Sequence, residues 1–478
     1  MRKLSRLTFR SGKRAEKGGK DMKLFKKGII SILCGAICLL GVACGQKPTT
    51  KPDDGPIGEV DGNKQITLRI ESAAPLKSNY QALLRSEAEG TQLYNQALFT
   101  KRLVDGFKKK YSNVKLQFIE DGWGDALFQA QQLYIRDYNA GGKMAVDIMI
   151  GETYMGYFAE NGVFARLDKE KFSDVIDGAC ADVTIDGERY GVPMCTGIMG
   201  LQYNTNILSE AGIAEEKWVP STWAELLENC RIVSEYAEAN NKSYGGIVMN
   251  NVAGMSGAFR ATPFLRAAGG DILDSDGKLA INSESNIEAF EYLRDLAQYA
   301  YEDSLTCDNE DTLQYYFTNK NYGAYMIEGQ WSMASAPDNI KSAPLPAKNA
   351  DGTGRGNIYC GNVLFGVTNA SENKAAAQAF LEYLTSSEVQ SWFYELDGRL
   401  PVSKTMLESE EILTVHPNIN SYIKELVAGG FDGGLSCFVK NANDIWSLWG
   451  SFYSNVLTSA TDIKTLADKA QADIGAKI

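Results

Sequence analysis

Histidine is nearly absent from this chain: there is one, His416, and Pro417 follows it. With no Cys/His cluster and no CxxC pair, no ligand set for a bound metal is expected. The chain also lacks GxSxG, HExxH, a Walker loop and GxGxxG, so the usual hydrolase, metalloprotease, nucleotide and dinucleotide signatures are missing. The glycine-rich stretch Gly352-Thr-Gly354-Arg-Gly356 follows no strand and opens no helix, and is expected to be a loop. No enzyme activity and no cofactor are expected. Positive charge runs short after residue 43. Eleven of the 48 Lys/Arg but only two of the 60 Asp/Glu lie before that point, leaving 37 basic against 58 acidic groups and a net charge near −21. Such a surface repels phosphate backbones, which excludes nucleic acid as the expected partner. It offers no polybasic patch for anionic lipid either.

What is present begins with an export signal. Met22-Lys-Leu-Phe-Lys-Lys27 is a basic n-region, the apolar stretch Gly28 to Ala43 follows, and small residues precede Cys44. The apolar stretch has 16 residues, short of the roughly 20 that span a bilayer as a helix. Leu40-Gly41-Val42-Ala43-Cys44 resembles the bacterial lipobox, in which the cysteine is lipidated and becomes the mature N-terminus. The alternative is an ordinary secretory signal with an incidental cysteine. Residues 1–43 are read as the signal, with Met22 a second possible start. Residues 44–63, with Pro48, Pro52, Gly55 and Pro56, read as a lipid-anchored flexible tether, about 60 Å at full extension. The expected location is the outer face of the cell membrane, held there by lipid alone.

About 435 residues remain beyond the signal, more than one hydrophobic core usually serves, so two lobes are expected. Six cysteines lie past the anchor (Cys180, Cys195, Cys230, Cys307, Cys360 and Cys437), widely spaced and expected to be buried free thiols. Apolar runs predict strands at Ile66–Ile70, Val114–Ile119, Val146–Ile150, Gly191–Met194, Gly246–Met249, Ala324–Ile327 and Val363–Val367. Thr222-Trp-Ala-Glu225, Ser285-Asn-Ile-Glu288 and Ser387-Glu-Val-Gln390 predict helix starts, each followed by apolar residues at helical spacing. Strands alternating with helices imply α/β lobes with mainly parallel sheets.

In open α/β sheets, ligands gather beyond the C-terminal ends of strands. Here those ends read Glu120-Asp121-Gly122-Trp123, Gly151-Glu152-Thr153-Tyr154, Asn250-Asn251 and Glu328-Gly329-Gln330-Trp331. Carboxylates, amides and aromatic rings beside glycine suit a sugar, whose C–H face lies on a ring and whose hydroxyls both donate and accept. A glycosidase would need two carboxylates at a set separation, and among 58 acids some pair is always available by chance.

Several motifs stand in an order that resembles the bacterial extracellular solute-binding proteins of family 1, the maltose and multiple-sugar type that feeds ABC importers. They are Val146-Asp147-Ile148-Met149, the stretch Asn161 to Leu167, Asp186-Gly-Glu-Arg-Tyr-Gly-Val-Pro193, Tyr203-Asn204, Gly212 and Pro220-Ser-Thr-Trp223. Gly269-Gly270, Gly323-Ala-Tyr-Met326, Gly329-Gln-Trp331, Ala343-Pro-Leu-Pro346, Ala375–Leu384 and Gly398-Arg-Leu-Pro-Val402 follow. The resemblance implies a periplasmic-binding-protein-like (type II) fold. Residues 64–195 with 366–400 would form an N-terminal lobe, and 196–360 with 401–478 a C-terminal lobe. Crossings between lobes are expected near Cys195–Gly200, Tyr359–Val367 and Leu400–Val402, placing Cys195 and Cys360 in the hinge. The maltose type has an acid in the first crossing where this chain has Gly197. The implied ligand is a carbohydrate. Trp331 and Trp446 would stack on it, and Glu152, Tyr154, Asp121 and Asn250 would bind its hydroxyls, with Trp123 a further candidate. ABC permease subunits are the implied partner, and a monomer is expected. A non-sugar solute (polyol, peptide or polyamine) is the first rival reading, and a surface glycosidase the second.

Overall fold

The computed structural model describes residues 57–73, 75–122, 125–333, 336–429, 435 and 442–478. The signal, the anchor Cys44, most of the tether, Trp123 and Cys437 lie outside these residues. Among the described residues no helix is long and apolar enough to cross a membrane.

Alternating apolar residues make Ile66–Ser72 (β1) a half-buried strand, with Ile66, Leu68 and Ile70 turned into the core. It pairs in parallel with Val114–Glu120 (β2), register Ile66↔Val114, and with Ile148–Gly151 (β3). The chain then forms Val192–Pro193 (β4) and leaves for a second sheet made of Met199–Asn204 (β5), Gly245–Val248 (β6), Gly323–Gly329 (β7) and Ile340–Ala343 (β8). It returns to the first sheet as Leu364–Val367 (β9). The orders are β2-β1-β3-β9-β4 and β8-β5-β7-β6. Pro193, which has no N–H to give, sits in the edge strand β4.

Both sheets are mixed, a correction to the mainly parallel expectation. β9 runs antiparallel to β3 and β4, and β5 runs antiparallel to β7 and β8. The cause is the crossing itself, since a strand that arrives from the other sheet need not share the direction of those joined by helical crossovers. The crossing segments lie side by side: Thr196 N donates to Leu400 O at 3.0 Å, and Cys360 N to Gly197 O at 2.9 Å.

Helices pack each sheet. On the first side lie Gln92–Lys110 (α1), Asp125–Asn139 (α2) and Met155–Glu160 (α3). On the second lie Trp223–Ala239 (α4), Met255–Ala267 (α5), Glu284–Ala297 (α6) and Glu310–Thr318 (α7). Lys374–Leu384 (α8) and Ser387–Asp397 (α9) return to the first side, where Phe99 of α1 meets Phe393 at 4.9 Å and Phe107 meets Phe380 at 5.5 Å. Asn420–Ala428 (α10) packs on β8, and Ala442–Thr458 (α11) packs on α5 and α6. Between α9 and α10, Ser403 and Thr405 bind the Asp174 carboxylate through their hydroxyls.

The helix starts differ in detail from the sequence signals. Thr222 caps α4 as expected, but the Glu225 carboxylate accepts from Ser221 N at 2.7 Å rather than from the cap residue. The helix expected from Ser285 starts two residues earlier, on the cap Ser283, whose hydroxyl accepts from Asn286 N. Cys180, Cys195, Cys230 and Cys360 are buried free thiols, while Cys307 is free and only partly buried.

Candidate ligand site

Because β1, β2 and β3 run parallel, their C-terminal ends deliver Glu71, Asp121 and Glu152 to one edge of the first sheet. Glu71 is fully buried. One oxygen accepts from Ile150 N at 3.0 Å and from Gln131 Nε2 at 2.5 Å. Burial pushes its carboxyl up to about 8, the Gln131 and Ile150 bonds oppose this, and the nearby Asp121 reinforces it. Asp121 is half-buried and accepts from Tyr134 Oη at 2.6 Å. Tyr154 folds back over Gly151, where an added Cβ would stand 2.8 Å from its hydroxyl. Its ring lies edge-on to Phe128 at 5.2 Å and to Phe158 at 5.9 Å.

A buried acid raised in this way favours the folded state while it holds its proton. Glu71 therefore contributes stability that is full below its ordinary 4.5 and is lost as pH rises through about 8. Glu71→Gln keeps the shape without the charge. Calorimetry should then show a flatter fall in melting temperature between about pH 5 and 8. An unchanged slope would assign the titration to another group.

Glu152, one residue past β3, meets charges from the second lobe. Burial pushes its carboxyl up to about 7; the Glu310 carboxylate adds to this, and Arg399 and Arg260 oppose it. The neighbouring Thr153 Oγ1 lies 3.7 Å from Met255 Sδ at the start of α5. The first sheet's strand end thus touches the helix that carries Arg260.

Arg260 organises the facing wall. It is 3% exposed; its Nη2 pairs with Glu310 Oε1 at 2.7 Å and also with Glu328, and its Nη1 donates to Ser256 Oγ at 2.8 Å. Burial pushes the Glu310 carboxyl up, but Arg260's charge and bonds from Arg260, Ser256 and Asn250 more than offset it and leave it below its ordinary value. Burial raises Glu328, against the pull of Arg260. Asn250 is buried at the end of β6, its Oδ1 accepting from Val252 N at 3.0 Å.

Trp331 is half-buried on the turn after β7. The Arg260 guanidinium lies 5.8 Å from the centre of its ring, within cation–π reach. The indole rests on two glycines: an added Cβ would stand 2.0 Å from it at Gly329 and 3.0 Å from it at Gly361, in the second crossing. Gln330 ties the same turn to the first crossing, donating to Thr196 O at 3.0 Å. Gly197 is where an added Cβ would stand 2.8 Å from Gln330 Oε1, so a larger residue there would displace the turn.

The structure brings Glu152, Asn250 and Trp331 into one network with Arg260, Glu310 and Glu328. Asp121 and Tyr154 stand on the first sheet's edge beside Glu71. Trp446 lies in α11, 7% exposed, with its ring edge-on to Trp449 at 6.5 Å. Sequence reasoning missed Arg260, Glu310, Glu71 and Arg399. Glu328 stood in a strand-end motif already noted, but only its neighbour Trp331 was singled out.

The profile of the bacterial extracellular solute-binding proteins matches residues 102–419. The chain belongs to this family. It is 29% identical over 215 residues to an arabinooligosaccharide-binding protein of Halalkalibacterium halodurans, a match covering 42% of this chain but only 45% of that one. It is 22% identical over 383 residues to a maltooligosaccharide ABC transporter solute-binding lipoprotein of Streptococcus pneumoniae, covering 76% of this chain and 78% of that one. Among solved structures it is similar to maltose-bound MalE3 of T. maritima, with a TM-score of 0.67 and 19% identity over 86% of this chain and 99% of the other. A solute-binding protein of Agrobacterium radiobacter K84 in complex with ribitol aligns at a TM-score of 0.65 and 17% identity over 88% and 100%. These likenesses show a two-lobed solute-binding fold of α/β type.

Proposed function

We propose that the protein is the carbohydrate receptor of an ABC importer, lipid-anchored through Cys44 on the outer face of the membrane, and that it binds without turnover. The observation that carries this reading is that the β3 end touches α5 through Thr153 and Met255, bringing Glu152 within reach of the charges of Arg260 and Glu310, with Trp331 against the same guanidinium. Charged acceptors and donors beside an indole face match a sugar's hydroxyl rim and its C–H face. The sugar-binding relatives support the same ligand class.

Mechanistically, ligand settles on one lobe and contacts made only in the closed form shift the population towards closure. Trp331 supplies the stacking face, and Glu152, Asn250, Asp121 and Tyr154 receive hydroxyls. Trp446 and Trp123 are assigned to the ligand more weakly, the first because its ring is largely enclosed beside Trp449. We place the lobes at residues 64–195 with 366–400 and 196–360 with 401–478, the segment around Ser403 leaning on the first lobe through Asp174. The protein acts as a monomer and delivers its sugar to the permease.

Calorimetric titration against neutral mono- and oligosaccharides tests this reading; binding of a non-carbohydrate and of no saccharide would end it. A polyol is the second reading, favoured by the ribitol-bound neighbour, and ribitol belongs in the same panel.

Closure sets the sign of a pH effect. Opening the lobes would return Glu152 to water and away from Glu310, lowering its carboxyl from about 7 towards its ordinary 4.5. The closed form then holds an extra proton between those two values, so affinity should fall as pH rises from about 5 to 7 and level off above. In Glu152→Gln, titrations at several pH values should give a flat profile. A slope equal to wild type would remove Glu152 from the closing contact.

A further inference from the structure

A cavity lies between edge strand β8 of the second sheet and helix α10. It holds about 730 Å3, and its lining includes Tyr203, Lys341, Arg355, Asn357, Asn418 and Lys424. None of Glu152, Arg260 or Trp331 lines it. The volume lies within the range that encloses a small ligand, roughly 300–1,000 Å3.

Its floor is built rather than incidental. Asn357 is 2% exposed, and its Oδ1 accepts from Met199 N at 3.1 Å. Its Nδ2 donates to Met199 O at 2.9 Å and to Glu425 Oε1 at 2.8 Å. Tyr203, Pro344, Leu345 and Pro417 give the walls flat apolar surface, while Ser421 and Asn418 give hydroxyl and amide groups.

The groove's own lining is positive. Three cations line it, against the single carboxylate of Glu425. Among the described residues, Lys341 Nζ reaches Asn418 Oδ1 at 3.4 Å and Arg355 Nη1 reaches Leu345 O at 3.5 Å, while the Arg355 charge also acts on the Glu425 carboxyl. Lys424 is exposed, and among the described residues none of the three forms an ion pair. On a chain with so large an acidic excess, two lysines without an acidic partner and an arginine that faces the one carboxylate, set around amides and an aromatic wall, form a local basic site. We propose that this groove is a second ligand site, for a polyhydroxylated anion such as a sugar acid or a sugar phosphate.

The test is calorimetry on the purified protein with gluconate and glucose 6-phosphate as probes, at low and high salt. At least one probe should bind wild type and weaken as salt rises. Binding should drop about tenfold or more in K341M/K424M, the loss expected from removing charge-assisted bonds. Which probe binds tells a carboxylate ligand from a phosphate ligand. Arg355→Gln is a second variant that should weaken the same probe, should the lysine pair alter the melting temperature. If neither probe binds, or if binding survives these substitutions unchanged, the proposal is overturned. Titration of a neutral saccharide in parallel reports the interlobe site separately, so failure of one does not pass for failure of the other.

Discussion

Trp331→Ala should weaken carbohydrate binding by roughly 1–3 kcal/mol, about 5- to 150-fold in Kd, while the second lobe stays folded. The indole is half-buried and rests on Gly329 and Gly361 rather than deep in the core. Its loss therefore exposes little and costs mainly the stacking face. One side of the ring faces the Arg260 guanidinium, which holds the indole plane before any ligand arrives. Titration calorimetry with the tightest saccharide of the panel measures the loss, and circular dichroism confirms folding. Unchanged affinity would make Trp331 a structural ring that covers Gly329 and Gly361.

Arg260→Met should cost more, and in stability. The substitution removes one buried cation and leaves the carboxylates of Glu310 and Glu328 facing each other, the latter fully buried. Breaking a buried pair from one side typically costs about 3–5 kcal/mol, because the remaining charge has lost its partner. The orphaned acids can take up protons, so the loss should be smaller near pH 5 than near pH 8. Denaturant midpoints at the two pH values check both parts. A loss under about 1 kcal/mol at pH 8 would mean that solvent already screens the network.

The fold was largely legible where apolar period and turn chemistry agree. β1 and β2 were found from their apolar residues, and α4 from Thr222 and Glu225. β5 escaped because buried Gln202 and Asn204 interrupt its apolar run. Their amides are satisfied only in the folded structure, Gln202 Nε2 by Gly329 O at 2.9 Å and Asn204 Nδ2 by Asn321 Oδ1 at 2.7 Å. β8 is four residues long, carries Lys341 and Ser342, and lies on a sheet edge, so it has little pattern to show. The mixed direction of both sheets follows from three crossings whose pairing no local pattern encodes.

For the candidate site, reading past strand ends pointed to Asp121, Glu152, Asn250 and Trp331, of which the structure joins the last three to the Arg260 network. That rule is blind to helices. Arg260 sits inside α5 and Glu310 at the start of α7, so both escaped it. A cation in the run Ala258 to Leu265, whose only other polar residue is Thr262, was the available signal, since a buried arginine requires acids facing it. Glu71 was visible in the same way, as a carboxylate directly after the core residues Leu68 and Ile70 of β1.

Solution X-ray scattering with and without a saturating saccharide from the panel tests most directly whether two lobes shut on a sugar. The radius of gyration should shrink on saturation and should shrink less in Trp331→Ala at the same saccharide concentration. Calorimetric saturation with no change in the scattering curve would contradict closure as the binding event.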